Sequence, residues 1–436
     1  TYGLQCHKQL WWRVYERDAP ELRPDARLQA LFDQGIRVGQ VARSHVPGGV
    51  LIDAPHFATA QRVAQTEAAL AGGAAVVYEA TFVADGVYVA VDILERTRKG
   101  FTLVEVKSST HAKDHYVADA AIQTHVARRA GIPVTRVEIM HLNRACTYPD
   151  LSNLFTRADV TDRADEMMAH LPGVLAGQLV MLDGLLPDIP AGPHCTEPYD
   201  CPFLLRCNAP VAPPPRTGPP TVAPGLVDAL APFVSALAFL DFETVAPAIP
   251  VWNGCRPFEQ VPAQFSCHLE TAGGLEHRAW LAEGPADPRP AIARAVVDAC
   301  RGARAVVAYY ASFERGCLRH LAAAVPALAA ELDGIAARLV DPHPLVKRHV
   351  AHPGFGGSFG IKAVLPVLVP GMGYDDLAIA EGESASNALS QLMFESDGLA
   401  LPAREALRTA LLAYCERDTI AMVRLLERLR ALAGGA

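Results

Sequence analysis

Apolar and polar positions alternate along the chain with two different periods, and each change of period marks an element. Residues 24–42 carry apolar side chains three and four apart, as in a helix that closes near Val38 and Gly39. Residues 58–70 repeat that spacing above a charged face. Residues 76–82 and 87–91 are short β-branched runs, and 101–107 alternate apolar with polar after a turn at Lys99 and Gly100. Helical spacing returns over 115–130, strand-like alternation over 133–142, and helical spacing again over 164–171 and 174–182. Residues 209–225 hold too much proline for a helix or a central strand, which predicts a stiff, extended linker. Beyond it the pattern restarts. Strands are predicted over 236–240, 264–269, 277–281 and 303–310, with one helix over 290–301 and another that follows the last of these strands and runs through Leu328. Residues 341–376 read as loop-rich, and 403–432 as one long closing helix. Strands alternate with helices on both sides of the linker, so the expected class is α/β with domains at 1–208 and 226–436.

This pattern carries acidic side chains to places where they can meet. If 87–91 and 101–107 pair as a hairpin, Asp92, Glu105 and Lys107 gather at one end of a sheet. Glu105 and Lys107 lie two apart on a strand, so they leave the same face. Two carboxylates and an ammonium there can hold Mg²⁺ or Mn²⁺ and orient a water for phosphodiester attack. A surface hairpin with an exposed Glu–Lys pair has the same spacing. In the second half Asp241 and Glu243 lie two apart where an apolar strand ends. That suits a pair of metal ions about 3.5–4 Å apart, although an ordinary strand-end turn also fits. Glu314 falls in the helix after a later strand. Tyr414 and Asp418, four apart, share one face of the last helix.

Length and charge narrow the picture only a little. A chain of 436 residues exceeds a single core, and with half its residues hydrophobic and a fifth charged it is globular. The formal charge of −8 gives no sign of a nucleic-acid binder, yet a basic groove can sit on an acidic body. No charged-then-apolar leader opens the sequence, and the most apolar stretch, 173–186, is short and interrupted by Asp183. The expectation is a cytoplasmic protein without membrane contact.

Ten cysteines in so long a chain suggest metal ligation more than a disulfide framework. Cys195, Cys201 and Cys207 recur with five residues between neighbours. Joined by Cys6, just ahead of an aromatic amphipathic helix, they form a four-thiolate set suited to Zn²⁺ or an iron–sulfur cluster. Three incidental buried cysteines are the alternative.

Cys6 in GLQCHKQLWW, Glu79 in VYEATF, Asp92, Glu105-Val106-Lys107, Gln123 and the closing cysteine triple resemble the RecB-like nucleases of the PD-(D/E)XK superfamily. The resemblance is to the branch with a four-cysteine [4Fe–4S] cluster, which includes a CRISPR adaptation exonuclease. It covers about 1–208 and implies a restriction-endonuclease-like fold. It also implies metal ligation by Asp92 and Glu105 with Glu79 as a further ligand, assistance from Lys107, and Gln123 nearby. The family's additional His after a Gly on an early helix has no counterpart, because Gln40, Val41 and Ala42 follow Gly39. The cysteine triple is also spaced more widely than is usual there.

LAFLDFET at 237–244, Glu314 after VVAYYASF, and YCERD at 414–418 resemble the three motifs of DnaQ-like (DEDD) 3′–5′ exonucleases in their Tyr variant. This resemblance implies an RNase H-like domain over about 236–430. Asp241, Glu243, Glu314 and Asp418 would be the ligands of Mg²⁺ or Mn²⁺, and Tyr414 would position water. Glu314 stands where Asp is usual, and Tyr310 where Asn is common. The stretches 356–366 and 374–379 look like the same domain type as it occurs behind Fe–S RecB-like nucleases in bacteria. Ser358 and Lys362 there are either phosphate contacts or part of a solvated loop. Together the resemblances imply a DNA nuclease with two phosphodiesterase sites, acting on single strands or duplex ends in repair, defence or CRISPR-type processing. The alternatives are a nucleic-acid-binding scaffold whose sites have decayed, and an RNA-trimming exonuclease.

Overall fold

The structure is a computed structural model that describes residues 2–208, 218–234 and 236–434. The core of the predicted linker, 209–217, lies outside the described residues. The chain is a mixed α/β protein in two compact units. The first comprises Thr1–Pro210 with Pro247–Phe258, the second Val211–Ala246 with Glu259–Ala436.

The first unit is built on a six-stranded sheet whose spatial order follows the chain: β1 (Val50–Leu51), β2 (Val76–Ala84), β3 (Val87–Thr97), β4 (Gly100–Lys107), β5 (Val134–Leu142) and β6 (Phe155–Asp159). β2, β3 and β4 form an antiparallel meander, and β4 pairs parallel with β5. A parallel neighbour needs a crossover, and the helix Asp114–Arg129 supplies it. Tyr116, Val117, Ala120 and Ala121 of that helix bury against Phe101 and Leu103 on one face of the sheet. Ala42, from the helix Ala26–His45, closes the other face with Tyr78, Ile93 and Val104. That helix runs past Gly39 to His45, beyond its expected stop, because Val38 and Ala42 are core residues on a continuous face. In the segment Pro247–Phe258, Ala248 packs with Val38, Leu142 and Leu154, and the backbone of Tyr148 exchanges hydrogen bonds with Cys255 and Gly254, both at 3.0 Å.

In the second unit β7 (Thr221–Val222) lies inside the stretch expected to be linker. β8 (Leu237–Val245), β9 (Val261–Thr271), β10 (Gly274–Leu281), β11 (Ala305–Val307) and β12 (Leu339–Val340) form a sheet ordered β10-β9-β8-β11-β12. β13 (Val350–Ala351) pairs antiparallel with β7. β8 is central and buried on both faces, which explains its nearly unbroken apolar run. Ala238, Leu240 and Phe242 point into a core formed with Ile292, Val296, Leu318 and Leu321 of the helices Arg289–Ala299 and Ser312–Ala324. The alternate positions face the long helix Leu401–Gly434, and that face holds the chemistry.

Three expectations here change. β8 continues through Asp241 and Glu243, so both carboxylates lie within the strand. The strand expected over 303–310 narrows to Ala305–Val307, and Tyr310, beyond its end, adopts a left-handed backbone at φ 63° in place of the extended one. The stretch expected to be loop-rich contains the helices Pro342–His349 and Ile361–Leu368, and Gly382–Phe394 follows as another.

Candidate functional site

Polar side chains of β9 strap the last helix across the sheet. Gln264 donates to the Leu411 carbonyl at 2.7 Å, and Ser266 and His268 both meet the Thr419 hydroxyl at 2.8 Å. The register pairs Asp241 with Ser266 and Glu243 with Gln264, so both carboxylates share this face with the helix. Tyr414 and Asp418, one turn apart, are therefore delivered onto Asp241 and Glu243. One carboxylate oxygen from each of Asp241, Glu243 and Asp418 lies within 4.8 Å of the others. Glu314, in the first turn of its helix, is 3 % exposed, and its Oε2 has no hydrogen-bond partner.

Asp241, Glu243 and Asp418 open onto a cleft of about 460 Å³ lined also by Tyr310, Phe313, Lys362 and Tyr414, whereas Glu314 lies behind its lining. The Tyr374 hydroxyl donates to Asp418 Oδ1 at 2.5 Å. Lys362 donates to the Ala380 carbonyl at 2.6 Å and pairs with Glu381 Oε2 at 3.2 Å, and its ammonium lies 5.2 Å and 5.1 Å from the Tyr374 and Tyr414 ring centres. Lys362 is thus a cation in the cleft wall. Ser358, the other candidate phosphate contact, accepts from the Gly360 N–H at 3.3 Å and does not line the cleft.

The electrostatics of the site show a crowd of carboxylates that the charges of Lys362 and Arg417 offset only in part. Burial, then the carboxylates of Asp418, Glu243 and Glu314, push Asp241 well above the usual range. Burial and Asp418 do the same to Glu243, against the pull of Lys362. Burial, helped by Asp341 and Asp418, raises Glu314 to about 8. Asp418 rises to about 6 through burial, opposed by the Tyr374 hydrogen bond and by Lys362. Burial and the Asp418 charge push the Tyr414 phenol far up, so it stays a proton donor. Like charges gathered in a dry pocket raise one another in this way, and a divalent cation relieves them. An all-oxygen donor set with an orphaned carboxylate oxygen fits Mg²⁺ or Mn²⁺.

The first unit builds a smaller centre. Ile93 on β3 pairs with Val104 on β4, so Asp92 and Glu105 follow at the open end of the hairpin. Asp92 Oδ2 accepts from the Val106 N–H at 2.7 Å. Lys107 contacts Glu105 Oε1 at 2.8 Å and Asp119 Oδ2 at 2.9 Å, and Gln123 donates to Glu105 Oε2 at 2.7 Å. Burial, then the charges of Glu105 and Glu79, hold Asp92 well above the carboxylate range despite the Val106 bond and Lys107. Burial alone would lower Lys107; Glu105 and Asp119 outweigh it and keep the ammonium charged. Glu79 lies between the registered pairs Tyr78–Ile93 and Ala80–Val91, in a left-handed backbone at φ 59°. Strain of this kind costs about 1–3 kcal/mol in a non-glycine residue. Its carboxylate faces Arg62 at 3.5 Å and Arg43 at 3.7 Å. The structure therefore brings Asp92, Glu105, Lys107 and Gln123 together and gives Glu79 arginine partners.

Cys6 caps the helix His7–Tyr15, and Cys207 ends the helix Leu204–Cys207. Cys201 and Cys207 pack on Trp12 and Phe203, and the Cys201 N–H donates to the Cys195 carbonyl at 2.7 Å. Burial raises the Cys207 thiol, against Lys8, with Cys201, Cys195 and Cys6 adding to the rise as neighbours. All four thiols are free. Among the described residues, two sets of three His, Cys, Asp or Glu ligand atoms gather within 4.8 Å, and neither contains a sulfur.

Sequence reading missed Asp119, Tyr374 and Asp341. Asp341 accepts from the N–H groups of Tyr310, Ala311 and His343 at 3.2, 3.0 and 2.9 Å and so holds the turn ahead of Glu314. Asp119 alone had a usable signal: it lies four residues before Gln123 on the same helix face. No helix among the described residues is long and apolar enough to cross a membrane. Residues 238–360, roughly a quarter of the chain, match a family described as Domain of unknown function (DUF2779). That stretch holds Asp241, Glu243 and Glu314 and ends before Tyr414 and Asp418. No curated protein matches the chain.

Proposed function

We propose that the second unit is a metal-dependent phosphodiesterase acting on nucleic-acid ends, with Asp241, Glu243, Glu314 and Asp418 as the metal-binding groups. The observation that carries this reading is the convergence of Asp241, Glu243 and Asp418 within 4.8 Å, although Asp418 comes from the far end of the chain. A central sheet strand bearing the first two, in a mixed five-stranded sheet, supports the RNase H-like assignment. Divalent ions, when bound, would neutralise the carboxylates and stabilise charge on the attacking and departing oxygens. Tyr414 lies beside Asp418 on the cleft wall, where its hydroxyl can orient a water. Lys362, paired with the exposed Glu381, can turn its charge to a phosphate entering the cleft, and the exposed Tyr310 and Phe313 offer rings for base stacking. The test is degradation of end-labelled single-stranded DNA and RNA with Mn²⁺ and with chelator. Metal-dependent shortening of DNA supports the reading; shortening of RNA alone moves the substrate to RNA, and shortening of neither sinks it.

The first unit is, on the same proposal, a second phosphodiesterase of RecB-like type centred on Asp92, Glu105 and Lys107. The hydrogen-bonded row of Glu105, Lys107 and Gln123 supports it. A binding role without cleavage is favoured by one observation, the engagement of Glu79 with Arg43 and Arg62. In a protein whose second centre is disabled, Asp92→Asn is expected to remove remaining cleavage by about 10³-fold, since a lost metal ligand costs several kcal/mol. Undiminished cleavage, or none before the substitution, would leave the first unit as a binding module.

The four cysteines complete the proposal as ligands of a [4Fe–4S] cluster that ties the start of the first unit to its end. Protein purified without oxygen is expected to hold about four irons per chain, and Cys207→Ser to lose most of them. Stoichiometric zinc with no iron would replace the cluster by a Cys₄ zinc site.

A further inference from the structure

Across the outer hairpin of the second unit, β9 and β10 pair His268 directly with His277. Their rings stack with centroids 4.6 Å apart at 25°. Glu416, on the last helix, lies over the pair, and its Oε1 is 3.6 Å from His277 Nδ1. One ligand atom from each of His268, His277 and Glu416 lies within 4.8 Å of the others.

Proton counting decides what these atoms are. The Thr419 hydroxyl contacts the Glu416 carbonyl at 3.0 Å, and a carbonyl can only accept, so Thr419 spends its one proton there. Its two other neighbours must then donate to it: the Ser266 hydroxyl at 2.8 Å and His268 Nδ1 at 2.8 Å. Ser266 has spent its own proton in turn, so His277 Nε2, at 2.9 Å, must donate to Ser266. Both imidazoles are therefore protonated on the nitrogen facing the hydroxyls. In the neutral rings His268 Nε2 and His277 Nδ1 are bare lone pairs. His277 Nδ1 then faces the Glu416 carboxylate, acceptor against acceptor, and a proton, a water that donates to both or a metal ion makes the contact favourable. A metal-ligating His commonly donates its other ring N–H to an oxygen acceptor that fixes its orientation, and here the two hydroxyls take that place.

We infer that His268, His277 and Glu416 form a binding site for a borderline divalent ion of the Zn²⁺ class, separate from the carboxylate centre. Two imidazoles and one carboxylate select such an ion over Mg²⁺, whereas the all-oxygen centre selects the reverse. Tetrahedral Zn²⁺ with bonds near 2.1 Å needs donors about 3.4 Å apart. His277 and Glu416 are exposed and can close the difference. The nearby positive charge of Arg424 is met by Glu427 at 2.9 Å. Because His268 and His277 sit on the hairpin and Glu416 on the last helix, the ion would clamp the helix that carries Tyr414 and Asp418.

The site is tested by calorimetric titration of Zn²⁺ into the full, iron-loaded chain with Mg²⁺ in excess. The wild type is expected to take up one Zn²⁺ more than His277→Ala or Glu416→Ala. Ser266→Ala should keep that equivalent with affinity weakened about 10–100-fold. At free Zn²⁺ about 100 times its Kd the melting temperature should rise by about 5–10 °C in the wild type and not in His277→Ala. Co²⁺ replaces Zn²⁺ as the second probe. Nitrogen–oxygen ligand-field bands that vanish in His277→Ala support the site, and thiolate charge-transfer bands would assign the extra ion to the cysteines and overturn it. Equal Zn²⁺ uptake by the wild type and both alanine variants would overturn it as well.

Discussion

Asp241→Asn is expected to abolish cleavage by the second unit and, at the same time, to stabilise the protein in chelator. The two effects have one cause. Asp241 lies in the cleft floor with Asp418, Glu243 and Glu314 around it, and burial and those charges push its carboxyl well above the usual range. Without metal its ionised form is a liability, and an amide of the same shape removes the repulsion. With metal the same carboxylate is a ligand, and its loss removes several kcal/mol of transition-state stabilisation, about 10³-fold in rate. The rise in melting temperature that Mn²⁺ gives the wild type should shrink in the variant. Tyr414→Phe makes the contrast: it keeps every carboxylate, so the metal response stays while the rate falls. A variant that loses stability in chelator and keeps its metal response would contradict the assignment.

The second large effect is a dependence of stability on pH that metal reverses. Glu314 is raised to about 8 and Asp418 to about 6, with Asp241 and Glu243 raised well above ordinary carboxylates. In the unfolded chain such groups titrate near 4. Between these limits the folded state holds more protons than the unfolded one, so stability falls as pH rises. The contribution is complete below about pH 4 and is lost as pH passes through the raised values, up to about 8. A tenfold gain in a carboxylate's proton affinity on folding is worth about 1.4 kcal/mol, and the coupled set amounts to several kcal/mol. In chelator the melting temperature of the second unit should therefore drop by about 5–10 °C between pH 5 and pH 8. Mn²⁺ should remove most of that drop. Glu314→Gln isolates the effect, since it should flatten the profile and leave the variant more stable than wild type at pH 8 in chelator. A wild-type profile that is flat, or that rises with pH while Glu314→Gln follows it, would show that these carboxylates are not raised.

What could be read from the sequence was whatever repeats along a few residues. The hairpin of β3 and β4 was legible because alternation and the Lys99–Gly100 turn are local, and so was the shared face of Glu105 and Lys107. β8 and the last helix were legible for the same reason, although the strand runs past Glu243 and the helix begins earlier, at Leu401. Tyr374 lay in a stretch dominated by Gly and Pro, and nothing local says that its hydroxyl ends 2.5 Å from Asp418. Asp341 likewise acts through the backbone of a turn thirty residues earlier. Glu79 was named for its motif, but its arginine partners come from helices whose docking no local pattern encodes. The stretch Pro247–Phe258 belongs to the first unit because Ala248 fills a gap beside Val38 and Leu142, a packing fact that has no periodicity. His268 and His277 escaped notice because they are nine apart, and only the register of the hairpin sets them side by side.

The central claim is that the carboxylate centre on β8 and the last helix hydrolyses phosphodiester bonds. It is tested most directly by following 5′-labelled single-stranded DNA over time with Mn²⁺, comparing Asp92→Asn protein with the Asp92→Asn, Asp241→Asn double variant. The expected result is a ladder of progressively shorter products from the first protein and intact substrate from the second. Identical ladders from both, or intact substrate from both on DNA and on RNA, would contradict it.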